Sequence, residues 1–268
     1  MRTDVRQLRD FYASPLGLLA ARRLEARVRA RWPNVRGLRL AGVGYPVPAL
    51  RPFLREAERV AALMPASQGA VRWPQSLANV ALQVEEVDWP LPDAMLDRLV
   101  LLHALETADA QRAFLRECWR VLAPGGRLLA IVPNRSGLWA LHDGIPFGQG
   151  RPYTGRQLRR LLRDHLFEPL ATERALHVPP FTRRALVRGA ASLEPLAARL
   201  LRRFGGVVMV EAEKTMVGVV PVRSRVRRRA PELGVLPQPA PGAASGSMPA
   251  DGTHPLAGSN HRVIEIVD

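Results

Sequence analysis

The chain has very little cysteine and lysine, and it has no long uncharged apolar run. Of its 268 residues, one is a cysteine, Cys118, and one is a lysine, Lys214. A single cysteine excludes an intramolecular disulfide framework and fits a reducing compartment, so we expect a cytoplasmic protein. The charged opening MRTDVRQLRDFY is not typical of a signal peptide, and no apolar run approaches the roughly 20 residues that a membrane span needs. The sequence therefore predicts a soluble protein with no membrane span.

The net charge is strongly positive, and nearly all of the excess is arginine. Lysine and arginine together number 39 against 24 aspartates and glutamates, which gives a formal charge of +15. Such a charge attracts nucleic acid, anionic lipid or an acidic partner. Arginine spread through every segment, beside abundant alanine, leucine and proline, is also what GC-rich coding produces. Both explanations stay open at this point.

The hydrophobic pattern predicts three regions: a helical extension over residues 1–34, a domain over 35–222 and a disordered tail rich in Arg, Pro and Gly over 223–268. In the extension, Ser14-Pro15 is a typical helix start and predicts a break between two helices. The domain alternates short apolar runs with amphipathic segments. The predicted strands are Gly37–Ala41, Arg59–Met64, Val80–Val84, Arg98–Leu102, Arg127–Val132, 167–176 and 206–222, and the main helices are Val47–Glu56 and Asp109–Leu122. This alternation predicts an α/β fold with a doubly wound, mainly parallel sheet.

The loops after the predicted strands are where a ligand is expected, because open parallel sheets bind at the carboxyl ends of their strands. The stretch LAGVGYPVP, residues 40–48, follows the first predicted strand and carries Gly42 and Gly44. Glycine there permits a positive φ or the close approach of a ligand. A lone G-x-G is weak evidence, since a structural turn explains it equally well.

A longer stretch resembles a known family. Residues 116–128, RECWRVLAPGGRL, follow VEEVDWPLPDAMLDRLVLLHALE at 84–106. Together they resemble class I S-adenosylmethionine-dependent methyltransferases of the small-molecule type, which include quinone-biosynthesis enzymes. The resemblance implies a Rossmann-like sheet of seven strands with helices on both faces and an antiparallel last strand. It also implies S-adenosylmethionine as cofactor, a small-molecule methyl acceptor and no metal.

The resemblance assigns cofactor contacts to loops that follow four successive strands. Glu85, with its neighbour Glu86, takes the adenine position, where a carboxylate accepts the amino hydrogens. The implied cofactor-binding residues are Gly42, Gly44, Tyr45, Met64, Glu85, Glu86 and His103. Two departures stand out: Leu40 and Pro46 replace an acidic residue and a glycine, and Met64 replaces the carboxylate that binds the ribose hydroxyls. Methionine still offers a polarizable apolar surface.

Candidates for a general base, which an oxygen or carbon acceptor needs, are His103, His142 and Tyr153. The last two lie in the insertion 134–154, whose aromatic residues we expect either to cover an apolar substrate or to hold a surface loop together. Two other functions stay open. The departures favour a methyltransferase-like protein that only binds or regulates, whereas the arginines favour RNA-directed methylation. The oligomeric state is not indicated.

Overall fold

A computed structural model describes residues 3–177, 179–180 and 204–215. The predicted tail over 223–268 lies outside these residues. The helices are α1 (Val5–Ala13), α2 (Pro15–Arg31), α3 (Val47–Leu50), α4 (Gln111–Val121) and α5 (Gly155–Arg163). The strands are β1 (Arg39–Gly44), β2 (Arg59–Pro65), β3 (Ala81–Val84), β4 (Leu96–Leu102), β5 (Leu122–Pro133), β6 (Phe167–Ala175) and β7 (Val207–Lys214).

The seven strands form one sheet in the order β3-β2-β1-β4-β5-β7-β6. The first five strands are parallel, and β7 runs antiparallel to both β5 and β6. The strand order reverses between β1 and β4, which is where ligands bind in open sheets of this kind. The predicted α/β class, with its parallel sheet and antiparallel last strand, is confirmed.

Both faces of the sheet are covered by helices. Val100 and Leu102 of β4 pack in one core cluster with residues of α1, α2 and α3. The alternate residues Leu99 and Leu101 pack in a second cluster with α4 and α5. Alternation along a strand sends neighbouring side chains to opposite faces, so each face has its own core.

The two N-terminal helices form as the sequence predicts. The Ser14 side chain accepts a hydrogen bond from the backbone N–H of Gly17, and Pro15 occupies the first helical position of α2. Both helices bury one face, which includes Leu8 of α1 and Leu24 of α2, in the same cluster as the sheet. The extension therefore packs on the sheet.

Two predicted elements are wrong in extent. The first strand begins and ends later than Gly37–Ala41, so Gly42 and Gly44 lie within β1 and not in the loop after it. The predicted helix Val47–Glu56 stops at Leu50 and continues as a 3-10 turn, Arg51–Phe53. Pro52 has no backbone N–H, which removes a helical hydrogen bond at this point.

Candidate active site

The carboxyl ends of β1 and β4 lie directly against each other. Gly44 is paired with Leu102, and the backbone N–H of Tyr45 donates to the Leu102 carbonyl at 2.8 Å. Gly44 has φ +91°, and a Cβ at this position would lie 2.3 Å from the Leu102 carbonyl oxygen. Glycine is therefore required here by the neighbouring strand as well as by its own backbone.

Gly42 is required by a different contact. A Cβ on Gly42 would lie 2.3 Å from Cβ of Pro46, the residue that precedes α3. The missing side chain of Gly42 thus lets the chain fold back so that Pro46 packs on β1, and the missing side chain of Gly44 lets β4 approach β1 closely. These contacts are within the protein, so the glycines alone do not identify a ligand loop.

An aromatic cluster covers this point. The ring of Tyr12, from α1, stacks on the ring of Tyr45 with centroids 5.4 Å apart and planes 8° apart. Phe147, from the insertion after β5, lies 4.7 Å from the His103 ring and 5.5 Å from the Trp139 ring. Phe147 and Trp139 of the insertion therefore pack together, and Phe147 lies over the end of β4 against His103.

His103 is the centre of this cluster. It is 4% exposed and has φ +55°, so the chain makes a sharp turn directly after β4. Its Nε2 lies 2.8 Å from the Tyr12 hydroxyl, and its Nδ1 lies 3.6 Å from Oε1 of Glu106. Burial, together with the charges of Tyr45 and Glu106, raises the pKa of Tyr12 well above its usual value. The Tyr12 phenol, the His103 imidazole and the Glu106 carboxylate thus form one continuous series of contacts.

Glu106 was not predicted from the sequence. It is 3% exposed, and its Oε2 accepts a hydrogen bond from the backbone N–H of Ala104 at 3.2 Å. Its Oε1 is buried and has no hydrogen-bond partner among the described residues. The signal was present in LLHALE, where a carboxylate follows His103 by three residues, one turn of a tight helix, and a 3-10 helix does span Leu105–Thr107.

A pocket of about 360 Å³ lies beside Glu106, beyond the ends of β2 and β4. Its lining consists of Ser67, Glu106, Thr107, Ala108, Asp109, Gly150 and Arg151. A buried carboxylate oxygen without a hydrogen bond is costly, because the charge has lost water and gained no donor. A cationic ligand group in this pocket would supply the missing partner.

Three further residues predicted to bind the cofactor, Met64, Glu85 and Glu86, differ in how deeply they are buried. Met64 is fully buried at the end of β2, and its sulfur accepts the backbone N–H of Val71 at 3.4 Å. Glu85 is exposed directly after β3, and Oε1 of Glu86 accepts the N–H of Ala110 at 3.2 Å. The structure does not bring Glu85 into the aromatic cluster.

The two further base candidates lie in different surroundings. His142 is exposed, and its Nδ1 lies 3.3 Å from the Leu138 carbonyl oxygen in its own loop. The Tyr153 hydroxyl accepts a hydrogen bond from the Gln111 side chain. Burial and the negative charge of Glu106 raise the pKa of Tyr153, while the hydrogen bond from Gln111 lowers it in part. Tyr153 is therefore near Glu106, whereas no contact between His142 and His103 is present among the described residues.

The residues that carry the family resemblance have structural roles. Arg120 donates to both oxygens of Glu117 and to Asp93, and it also donates to the carbonyls of Trp89 and Leu91. These bonds attach α4 to the segment that enters β4. Asp93 itself lies in a turn, in which its neighbour Ala94 has a positive φ of 54°.

Comparison with known proteins identifies the domain. The model of a methyltransferase domain family matches residues 41–130. A probable S-adenosylmethionine-dependent methyltransferase of Mycolicibacterium smegmatis is 36% identical over 89 residues, which are 31% of this chain and 31% of that protein. Residues 41–130 thus match a methyltransferase domain family, which confirms the predicted resemblance for this part of the chain. The chain thus spans about a third of the length of the curated relative that it matches.

Solved structures show that the methyltransferase fold extends beyond the matched residues. A Thermotoga maritima protein, described as a possible histamine N-methyltransferase, aligns with a TM-score of 0.56 at 14% identity over 79% of this chain and 96% of its own. A protein described as the [4+2]-cyclase SpnF aligns with a TM-score of 0.50 at 22% identity over 74% of this chain and 81% of its own. At these identities the likeness concerns the fold alone.

The methyltransferase domain fits S-adenosylmethionine, the cofactor of its family, at the methionyl end. The methionyl group carries an ammonium and a carboxylate. Oε1 of Glu106, which has no hydrogen bond among the described residues, suits the ammonium, and the exposed Arg151 in the same pocket suits the carboxylate. At the ribose end the domain offers Met64, whose sulfur already accepts the Val71 N–H. The fit is therefore confined to the pocket of Glu106.

Among the described residues, no group of three or more His, Cys, Asp or Glu side chains is placed to hold a metal ion. In the same part of the chain, no helix is both long and apolar enough to cross a membrane.

Proposed function

We propose that this chain binds S-adenosylmethionine at the carboxyl ends of β1, β2 and β4 and transfers its methyl group to a small molecule. The observation that carries the proposal is Oε1 of Glu106, a buried carboxylate oxygen without a hydrogen bond that lines a pocket in a methyltransferase domain. Glu106 and Arg151 would hold the two charges of the methionyl group. The bound cofactor supplies an activated methyl on a sulfonium, so alignment of the acceptor is the main demand on the protein.

The buried line of Tyr12, His103 and Glu106 supports a role in proton transfer. A hydroxyl, amine or activated carbon acceptor loses a proton when it is methylated. With Nε2 unprotonated, His103 takes the Tyr12 proton across 2.8 Å while Tyr12 takes the proton of the acceptor. The carboxylate of Glu106, 3.6 Å from Nδ1, stabilises the imidazolium that results. This order of transfer makes Tyr12 the group that faces the acceptor.

Calorimetry on the full chain tests cofactor binding. We expect the wild type to bind both S-adenosylmethionine and S-adenosylhomocysteine, which share the methionyl ammonium. Glu106→Gln keeps the shape of the side chain and removes its charge, so affinity should fall by about tenfold to a hundredfold. Glu58→Gln, at an exposed position, is the matched control and should bind as the wild type does. Absence of wild-type binding to either compound at millimolar concentration would exclude the proposal.

A second candidate is a methyltransferase-like protein that binds or regulates without turnover. Its support is Met64, which is fully buried where the family places a ribose-binding carboxylate. Under this alternative, calorimetry detects neither compound while the fold stays intact.

RNA-directed methylation has less support from the structure. Two arginines of α2 form ion pairs with residues of other segments: Arg29 with Glu56 at 2.5 Å and Arg27 with Glu173 at 3.7 Å. These charges are partly compensated within the protein, so they do not form a free basic surface.

A further inference from the structure

A second, larger cleft has no lining residue in common with the pocket of Glu106, but Tyr12, the group that the proposed proton transfer places against the acceptor, lies in its lining. It has a volume of about 890 Å³ and opens between α1, α2, α3 with its 3-10 extension, and the loop 71–77 that follows β2. Every charged residue that lines it is an arginine: Arg9, Arg51, Arg55 and Arg72. The size falls in the range of small-molecule sites.

Two of these arginines are free to bind a ligand. The side chains of Arg51 and Arg55 are exposed, and neither forms a hydrogen bond or an ion pair among the described residues. Within the same part of the chain, the ion pair of Arg9 is with its exposed neighbour Asp10, at 3.3 Å. The positive charges of Arg51 and Arg9 oppose the effect of burial on the pKa of Tyr45, so both guanidinium groups lie near that phenol.

The remainder of the cleft is mainly apolar and aromatic, with Gln75 and Ser76 as further polar residues. Trp73 and Tyr45 lie in the lining and are almost fully buried. Leu18 and Leu77, also in the lining, are 44% and 41% exposed, so they present apolar surface to a ligand in the cleft. Abundant arginine in this sequence means that charge alone does not identify a site. The convergence of arginine on one apolar concavity is the additional observation.

We propose that this cleft binds an organic phosphate, a small molecule with an apolar body and a phosphate group. Guanidinium groups bind phosphate oxygens with paired N–H donors, and Arg51 begins the 3-10 turn while Arg55 lies two residues beyond its end. The apolar body packs on Trp73 and the exposed leucines. Inorganic phosphate would not cover the apolar surface of the cleft, which would stay in contact with water. An uncharged molecule would leave the arginines without an anion to bind.

Calorimetry with 1-naphthyl phosphate on the full chain tests the proposal, with 1-naphthol and inorganic phosphate as comparison compounds. We expect 1-naphthyl phosphate to bind at least tenfold more tightly than either. The double variant Arg51→Ala/Arg55→Ala should lose at least tenfold in affinity for it. The control Arg156→Ala/Arg159→Ala removes the same charge from exposed positions of α5 and should bind as the wild type does.

Two results would overturn the proposal: no binding by the wild type, or equal losses in both double variants, which would indicate attraction by net charge. Two variants distinguish a failure of this proposal from a failure of the proposed methyl transfer. Glu106→Gln should keep its affinity for 1-naphthyl phosphate, and Arg51→Ala/Arg55→Ala should keep its affinity for S-adenosylhomocysteine. Circular dichroism melts of each variant establish that the fold is retained.

Discussion

The hydroxyl of Tyr12 lies 2.8 Å from Nε2 of His103, and this contact joins the first helix to the turn after β4 across 91 residues of sequence. Both side chains are buried, at 7% and 4% exposure. A helix that packs outside the sheet thus supplies a polar group to the point where β1 and β4 end. The position of α1 and the environment of His103 are consequently coupled.

Substitution of Tyr12 by phenylalanine should destabilise the protein. The change keeps the stacked ring and leaves Nε2 of a buried histidine without its partner, which costs about 1–3 kcal/mol. Urea denaturation measures this loss. The control is Tyr45→Phe, because the Tyr45 hydroxyl makes no hydrogen bond among the described residues. Equal stability of the two variants would contradict the assigned contact.

Substitution of Gly44 by alanine should cost more than the same change at Gly125. Both glycines have positive φ, +91° and +70°, so both variants carry a backbone penalty of about 1–2 kcal/mol. A Cβ at Gly44 also meets the Leu102 carbonyl at 2.3 Å, whereas a Cβ at Gly125 meets nothing within 4 Å. Overpacking adds about 1–3 kcal/mol at Gly44 alone. Thermal melts of the pair measure the difference, and similar losses would argue against the close approach of β4.

The bonds of Glu117 should make stability depend on pH. Burial raises the pKa of Glu117, but the hydrogen bonds from Arg120 and Trp89 outweigh it, so the net pKa is lowered. The stabilisation is therefore complete above the unfolded pKa of about 4.3 and is lost as pH falls through the lower folded pKa. Glu117→Gln should reduce the free energy of unfolding at about pH 7 by about 1–3 kcal/mol, and the difference should shrink below about pH 4.

Urea denaturation of wild type and variant across this pH range measures the effect. Glu168→Gln is the control, since its pair with Arg163 is exposed and contributes at most about 1 kcal/mol. A difference between wild type and Glu117→Gln that does not change with pH would refute the assignment.

Cys118 should be inert in the native protein. It is fully buried, and burial, with the nearby charge of Glu117, raises the pKa of its thiol well above the usual value. A thiol of raised pKa that reagents cannot reach is a poor nucleophile. Ellman's reagent should detect no thiol in native protein and one thiol per chain in urea. Rapid native labelling would show that α4 opens readily.

The sequence patterns were sufficient for the fold because the parallel strands are continuous apolar runs and Ser14-Pro15 is a local helix signal. They were less accurate at the end of β1, where Gly42 and Gly44 have the composition of a turn but pair within the strand. The reason is a long-range contact, the approach of Leu102, which local sequence does not contain. The early end of α3 could have been predicted from the sequence, because Pro52 has no backbone N–H to donate within a helix.

The site was predictable only in part. His103 could be placed because it directly follows a clear strand. The contribution of Tyr12 could not be anticipated, since nothing in the sequence of an amphipathic helix indicates which distant loop its tyrosine will meet. The spacing of Glu106 from His103 was visible in the sequence, but its significance rests on one oxygen without a hydrogen bond, which is a property of packing.

The place of β7 in the sheet has a consequence for synthesis. In the described chain β6 pairs only with β7, which enters between β5 and β6. Until residues 207–214 have left the ribosome, β5 has an open edge and the Trp32 indole has no Glu211 to which it can donate. An open apolar edge invites pairing with other chains. Nascent copies of this protein are therefore most exposed to aggregation after β6 has been made and before β7 is available.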